Sequence, residues 1–246
     1  MDKPAFSAWH RWDRSYHLLF VVAAWVAVLM GFYPSVALRY AGRADYPAPV
    51  ILQMHVFTFA AWLCLLTIQM VLVRGRHLGL HRKLGMAGAA MIPVLVFTGI
   101  GAEIHSQTFY AATDPENPRF FIIPIAEMVL FVGFATLAIM RRGDLLAHKR
   151  LILLATTILL PAAYNRWWGP AIDTLLDQGY WWLIIRFFGG PNLLMVIAVL
   201  YDRITRGRVH PVLAQGVPLA FATELATAVI YYSDWWPGLV RQLLKI

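Results

Sequence analysis

Seven long apolar stretches constrain this chain more than any other feature of its sequence. A helix needs about 20 mostly apolar residues to cross a bilayer. Such stretches lie at Leu18–Leu38, Val50–Val73, Leu84–Ile104, Phe121–Met140, Leu151–Trp167, Trp181–Tyr201 and Val217–Trp235. They predict an all-α fold, a polytopic transmembrane helical bundle of about seven spans that occupies residues 1–246 as a single transmembrane domain.

The composition excludes a soluble globule, because 60% of the 246 residues are hydrophobic and only 14% are charged. A soluble chain of this size buries roughly three quarters of its surface, which leaves too little interior for so many apolar side chains. A net charge of +8 would favour nucleic-acid binding in a soluble protein, but here the bases form short clusters between apolar stretches. The predicted partner is therefore the lipid bilayer and not nucleic acid.

Lysine and arginine are distributed unequally between the two ends of the predicted spans. One side holds fourteen of them: Lys3, Arg11, Arg14, Arg74, Arg76, Arg82, Lys83, Arg141, Arg142, Lys149, Arg150, Arg203, Arg206 and Arg208. The other side holds six: Arg39, Arg43, Arg119, Arg166, Arg241 and Lys245. Because cytoplasmic loops are enriched in these residues, the asymmetry predicts a bacterial cytoplasmic (inner) membrane protein with its N-terminus in the cytoplasm and its C-terminus in the periplasm.

Two of the predicted spans carry interruptions. The fifth is short and contains Pro161, and the sixth contains Gly189, Gly190 and Pro191 in succession. Broken helices are tolerated in membranes where their backbone lines a cavity. We therefore expect the sixth span to break at the two glycines.

Two loops of the chain align with each other at an offset of 67 residues. The segment Arg74–Leu84 matches Arg141–Leu151 without a gap, and His81 aligns with His148. One interpretation is that two short cytoplasmic loops both need bases, for topology and for lipid phosphates. The other is a duplicated helical hairpin, in which spans two to five form a four-helix core over about residues 50–170.

The segments His55–Gln69, Leu80–Gly85 and Ala147–Leu151 resemble a group of uncharacterised bacterial multi-span membrane proteins. That group shares an early histidine, a glutamine that ends a helix, and a His-Arg-x-Leu-Gly turn. The resemblance covers about residues 50–170. It implies the fold and the inner-membrane location, and it implies no activity.

The layout of four histidines also resembles that of diheme b-type membrane cytochromes of the ascorbate-reducible kind. His81 and His148 begin spans three and five at the cytoplasmic side, whereas His55 and His105 lie near the outer side. A b-type heme needs two axial ligands from facing helices, and imidazole suits iron. The layout thus predicts one heme b near each face. The alternative is that these histidines simply lie at the membrane interface, where a neutral ring is tolerated.

A polar layer is predicted in the outer half of the membrane. Glu127 and Arg186 lie five to six residues inside their spans, at about the depth of His55, and ionisable residues inside a span usually face a partner or a cavity. Just above them lie Glu103, His105, Asn165 and Arg166. We expect Glu127 and Arg186 to face each other or to share a ligand.

This layer has three interpretations: a structural ion pair between helices, an outward-opening pocket for a quinone head group, heme propionates or a polar substrate, and a non-heme metal site. In the pocket, Arg186 would bind an anion, while Glu127 and His55 would handle protons. Glu224, near the middle of span seven, is a further candidate for protonation. The metal site would use His55, Glu103, His105 and Glu127.

Together these features favour an integral membrane redox protein that binds b-type heme or quinone and transfers electrons. The alternative is a non-enzymatic accessory subunit of a larger membrane complex, or a small-molecule transporter with a buried outward-facing polar site. A membrane hydrolase or transferase is a third class. The sequence contains no phosphate-binding glycine-rich loop, no nucleophile elbow and no His-Glu-x-x-His pair.

Overall fold

A computed structural model describes residues 6–7, 9–44 and 46–246, and Lys3 of the topology prediction lies outside them. That part of the chain is helical and contains no strand. Its helices are α1 (Asp13–Tyr40), α2 (Val50–Arg74), α3 (Leu78–Tyr110), α4 (Ile122–Met140), α5 (Leu145–Ile158), α6 (Pro161–Leu175), α7 (Tyr180–Leu183), α8 (Gly189–Arg206), α9 (Pro211–Tyr231) and α10 (Trp235–Leu244). A 3₁₀ turn, Asn117–Phe121, precedes α4, and a π-helical segment, Ile184–Phe188, joins α7 to α8.

The predicted all-α bundle of about seven spans is confirmed. Among the described residues, six helical stretches are long and apolar enough to cross a membrane, and α5 with α6, which meet at 49°, make a seventh if they count as one span. Large apolar side chains point away from the protein along these helices, with Phe57 74% and Phe97 67% exposed. Such a surface suits lipid and not water.

Contacts between helix ends define two faces of the bundle. At one, which we call the amino-terminal face, Arg74 at the end of α2 donates to the backbone carbonyl of Arg14 in α1, at 3.1 Å. At the opposite face, Arg119 donates to the carbonyls of Tyr231 and Ser233 at the end of α9, at 3.0 Å each. The helices therefore alternate in direction, and α10 follows α9 at the opposite face.

Two helical hairpins, α2–α3 and α4–α5, pack side by side as the predicted core. Trp62 of α2 donates to the hydroxyl of Thr156 in α5 at 3.2 Å, and its ring contacts Phe131 of α4 edge-on. The core extends beyond these four helices, because Ala24 and Ala27 of α1 are completely buried in the same cluster. Residues of α8 and α9 also belong to it.

The predicted break in the sixth span lies one turn earlier than the glycines. The chain stays helical through Gly189 and Gly190, and the irregularity is the π-helical segment before them. Pro191 lies in the first turn of α8, directly after the π-helical segment. Gly190 packs on the ring of Tyr164, where a Cβ would overlap the ring atoms.

Helices α1 and α6 approach closely at Gly31, where a Cβ would overlap the backbone carbonyl of Ala163. Because backbone cannot move aside as a flexible side chain does, we expect Gly31→Ala to destabilise the protein by about 1–3 kcal/mol through overpacking. Thermal unfolding of the purified protein in detergent measures the effect.

Gly133→Ala is the matched control, since Gly133 is also helical and a Cβ there meets nothing within 4 Å. The control should unfold at or above the wild-type temperature, because alanine is the better helix former. Equal unfolding temperatures for the two variants would contradict the close approach of α1 and α6.

Candidate functional site

His81 and His148 face each other at the amino-terminal face. His81 lies in the first turn of α3 and His148 in the first turn of α5, and their ring centroids are 6.5 Å apart with the planes at 85°. Nδ1 of His148 lies 2.8 Å from the backbone carbonyl of Ala138, at the end of α4. Nδ1 of His81 is buried without a hydrogen-bond partner. The sequence prediction that these two histidines form a pair on one face agrees with this geometry.

Gln69 of α2 and Gly85, the glycine of the His-Arg-x-Leu-Gly turn, have a structural role beside this pair. Nε2 of Gln69, near the end of α2, donates to the backbone carbonyl of His81 at 3.1 Å. The same nitrogen lies 3.6 Å from where a Cβ of Gly85 would stand. The Gln69 side chain thus links α2 to the first turn of α3, and it keeps the backbone of His81 close to α2.

The histidines of the opposite face are not in contact with each other. The ring of His55 packs on Phe59 with centroids 4.2 Å apart, and the ring of His105 meets Tyr46 edge-on at 5.8 Å. Helix α3 continues to Tyr110, so His105 lies beside the segment that precedes α2 and not opposite His55. A buried nitrogen of each ring, Nδ1 of His55 and Nε2 of His105, has no hydrogen-bond partner. Outside the spans, burial raises the pKa of Tyr46 above its ordinary value.

Among the described residues, Arg186 forms its ion pair with Asp173 and not with Glu127, so the polar layer is not an ion pair between these two side chains. Arg186 lies in the π-helical segment, where its guanidinium reaches the carboxylate of Asp173 in α6 at 3.2 Å and covers the ring of Trp182 at 4.9 Å. Asp173 also accepts a hydrogen bond from Trp182, at 2.9 Å. Asp173 lies in α6 beyond Trp167, where the predicted fifth span ends, so the sequence offered no reason to place it in the polar layer.

Asn165 lies beside Arg186, on the turn of α6 below Gly169. A Cβ on Gly169 would stand 3.1 Å from both Oδ1 of Asn165 and Nε of Arg186. Both of these atoms are buried and have no hydrogen-bond partner. Glycine therefore keeps a space beside an unpaired acceptor and an unpaired donor.

Glu127 has other charged neighbours. Glu103 of α3, Arg166 of α6 and Glu224 of α9 lie close enough to interact electrostatically with its carboxylate. Arg166 itself is exposed, with its guanidinium over the ring of Phe32 at 4.8 Å. The polar layer predicted from the sequence thus exists around Glu127, Glu103 and Arg166, with Glu224 in place of Arg186.

A small cavity separates Glu127 from Glu224. Glu127 and Glu224 line it with Thr223 and Thr227 of α9, and the surface of its wall is mainly apolar. Pro161 at the α5–α6 bend and Pro191 in α8 also line it. The two irregular spans therefore meet at this cavity, as the interruptions in the sequence suggested.

A buried ionic cluster at the amino-terminal face was missed by the sequence analysis. Arg150 of α5 forms a bidentate ion pair with Asp202 of α8, and their side chains are 6% and 2% exposed. The carboxylate of Asp13 in α1 accepts hydrogen bonds from Lys149 at 3.0 Å, from Tyr201 at 2.6 Å and from Arg206 at 2.7 Å. These contacts join helices α1, α5 and α8.

The backbone N–H of His210, which precedes α9, completes this cluster by donating to Asp202 at 3.1 Å. Burial lowers the pKa of His210, which favours its neutral ring beside the bases. In the sequence, the feature that indicates this cluster is the position of Asp13 and Asp202 among the lysines and arginines of one side, because a carboxylate there needs a cationic partner.

Comparison with known proteins identifies no relative: no protein-family model, curated protein or solved structure matches this chain. Among the described residues, no three His, Cys, Asp or Glu side chains come together as a metal site. The non-heme metal site of His55, Glu103, His105 and Glu127 is therefore not assembled. A site with two histidine ligands is a different case, and His81 with His148 is such a pair.

The Arg150–Asp202 pair predicts a large effect of removing one partner. Asp202→Ala leaves the Arg150 guanidinium buried without its carboxylate, and we expect a loss of about 3–5 kcal/mol of stability. Denaturant or thermal unfolding in detergent measures it. The double variant Arg150→Met with Asp202→Leu should lose less than Asp202→Ala alone, because no charge is stranded.

Asp173→Ala serves as the control, since the Asp173 side chain is 42% exposed in its ion pair with Arg186. An exposed pair of this kind is worth at most about 1 kcal/mol. If Asp173→Ala destabilised the protein as much as Asp202→Ala, burial would not be what distinguishes the two ion pairs.

Proposed function

We propose that this chain is an integral membrane redox protein that binds b-type heme between His81 and His148 and transfers electrons through it. The observation that carries the proposal is the facing pair of rings at the amino-terminal face. With metal–nitrogen bonds of about 2 Å, two imidazoles on opposite sides of one metal ion have ring centroids roughly 6 Å apart. The separation of 6.5 Å in this chain is close to that value.

The surroundings of the two rings support this assignment. An imidazole that binds a metal usually donates a hydrogen bond from its second ring nitrogen to a carbonyl or carboxylate, and this hydrogen bond orients the ring. His148 has this arrangement through Nδ1 and the carbonyl of Ala138, which leaves Nε2 for a ligand. The unpartnered Nδ1 of His81 is a buried polar atom without its usual hydrogen bond. Such an atom favours a partner that binds there.

The protein contributes position and charge to such a site. Heme supplies one-electron chemistry when bound. His81 and His148 would bind the iron from α3 and α5, and Gln69 holds the backbone of His81 in place. Arg82, which follows His81 and is exposed, provides a cation for the propionates.

The other redox ligand predicted from the sequence is quinone, and the opposite face is the better place for it. Quinone head groups accept hydrogen bonds and exchange protons, and that face holds His55 and the Glu103–Glu127 region. Two of its side chains, Asn165 and Arg186, present an unpaired acceptor and an unpaired donor beside Gly169. These groups support a polar ligand there.

A transporter or an accessory subunit of a larger complex remains the second candidate function, and one observation favours it. The cavity between Glu127 and Glu224 lies where two irregular spans meet, which is where transporters place their coupling ions. A colourless protein that moves an ion or copurifies with a complex would support this second function over the first.

The heme proposal predicts an absorption spectrum. The purified full-length protein, expressed with adequate heme supply, should show a Soret band and the α-band of a b-type cytochrome on reduction. His81→Ala and His148→Ala should each remove most of that absorption, because the iron loses an axial ligand.

His77→Ala is the control, since His77 is exposed and lies four residues before His81. Its spectrum should match that of the wild type. Absence of heme absorption in the wild-type protein would end the cytochrome proposal, whereas equal loss in all three variants would point to damaged folding.

We place the chain in the bacterial cytoplasmic membrane with its amino-terminal face in the cytoplasm. The support is the asymmetry of fourteen bases against six together with the alternation of the helices. A reporter enzyme fused after Ile246 should therefore report the periplasm. A fusion within the α2–α3 turn, after Gly75, is the control and should report the cytoplasm. Activity of the Ile246 fusion in the cytoplasm would remove one span or invert the orientation.

A further inference from the structure

The cavity between α4 and α9 is small and is lined by two glutamates. It has room for about one water-sized occupant. Among the described residues, two ionisable side chains line it, Glu127 and Glu224, and none of the lining residues is lysine, arginine or histidine. A quinone, sugar or other organic ligand is too large for this space. The occupant that fits both the size and the charge is water that shares a proton with the carboxylates.

We propose that Glu127 and Glu224 form a proton-binding pair bridged by a water molecule in this cavity, and that Glu103 passes protons to the pair from the opposite face. The proposal does not depend on heme. It uses the polar layer of the opposite face and none of the candidate iron ligands His81 and His148.

The inner end of this path is Glu224. Its side chain is 4% exposed, and one of its oxygens, Oε2, accepts a hydrogen bond from Nδ2 of Asn192 at 2.7 Å. Asn192 holds the carboxyl group against α8, and its own Oδ1 is buried without a partner. Two carboxylates that face one small apolar cavity cannot both stay ionised without a cation, so a proton shared between them removes the repulsion.

The outer end of the path is Glu103, which interacts electrostatically with Glu127. Oε1 of Glu103 accepts a hydrogen bond from Nε2 of Gln107 at 2.7 Å. Gln107 is completely buried, yet its own Oε1 has no hydrogen-bond partner. A buried acceptor of this kind beside a carboxylate indicates a missing donor, and water or a protonated carboxyl group supplies one.

The charged groups around Glu127 come from three other helices. They are Glu103 of α3, Arg166 of α6 and Glu224 of α9. The guanidinium of Arg166 is the one cation among them, and it is exposed beside Phe32 and not in the cavity. Its positive charge favours the ionised form of Glu103 at the entrance, and Arg166 does not line the cavity between Glu127 and Glu224.

Each step of the relay is a simple proton transfer. The O–H bond of a protonated Glu103 breaks and an O–H bond forms on Glu127, through water where the carboxyl groups do not touch. The next transfer breaks the bond on Glu127 and forms one on Glu224 through the water of the cavity. No electron is transferred in these steps. Solvent at the opposite face supplies the proton and accepts it again.

Infrared spectroscopy of the purified full-length protein tests the pair directly. The C=O stretch of a protonated carboxyl group is separate from that of a carboxylate and shifts when H₂O is replaced by D₂O. We expect such a band at neutral pH in the wild type. Glu127→Gln and Glu224→Gln should each remove or shift it, and Glu103→Gln should slow its exchange with D₂O at least tenfold.

Glu116→Gln is the matched control, because Glu116 lies in the exposed turn after α3 and its side chain is 69% exposed. It should leave both the band and its exchange rate unchanged. Glu127→Asp is the second variant if Glu127→Gln fails to fold, and it should keep the band at a shifted frequency.

Three results would overturn the proposal: no protonated carboxyl band in the wild type at neutral pH, a band that persists unshifted in both Glu127→Gln and Glu224→Gln, or exchange at the wild-type rate in Glu103→Gln. None of these readouts requires heme. A colourless protein that shows the band would therefore support the proton pair while removing the cytochrome proposal.

Discussion

The ionic cluster around Asp13 constrains how the helices of this bundle pack against one another. A charge buried in a bundle that lipid surrounds must find its partner within the protein, because removing it from water costs several kcal/mol. Asp13 at the start of α1 binds Lys149 of α5 and Arg206 of α8, while Arg150 binds Asp202. All of these ion pairs can form only when α1, α5 and α8 have one particular displacement along their axes. The cluster therefore sets the level at which His148, one residue before Lys149, meets His81.

The ionic cluster and the polar groups of the opposite face differ in how completely they are paired. The ionic cluster at the amino-terminal face is closely paired, and Arg206 with a 1% exposed side chain donates to both oxygens of Asp13. At the opposite face, buried polar atoms of His55, Asn165 and Arg186 have no partners. A membrane protein that only needed stability would pair these groups or replace them with apolar ones. The pairing of the ionic cluster is what a structural role requires, and the unpaired atoms of the opposite face are what the proposals of water and a polar ligand at that face rest on.

The spans could be predicted from the sequence because each depends on a local property, a length of apolar residues bounded by bases and turns. The pairing of side chains could not, since depth along a helix says nothing about direction around it, and successive residues point about 100° apart. Glu127 and Arg186 share a depth, but Arg186 points to Asp173 at the end of α6. His81 and His148 were placed together correctly because both begin helices at the same face, where the hairpin turns limit their separation.

Helix α5 joins the two candidate sites of this protein. His148 lies in its first turn, and Ile158, its last residue, lines the cavity between Glu127 and Glu224. At 1.5 Å per residue these positions are roughly 15 Å apart along one helix. With the proposed heme at the histidine pair, an added electron there and an added proton in the cavity would attract each other by about 1 kcal/mol at an effective dielectric constant of 20. The sites thus need no moving part to influence each other, since charge at one end of α5 changes the energy of charge at the other.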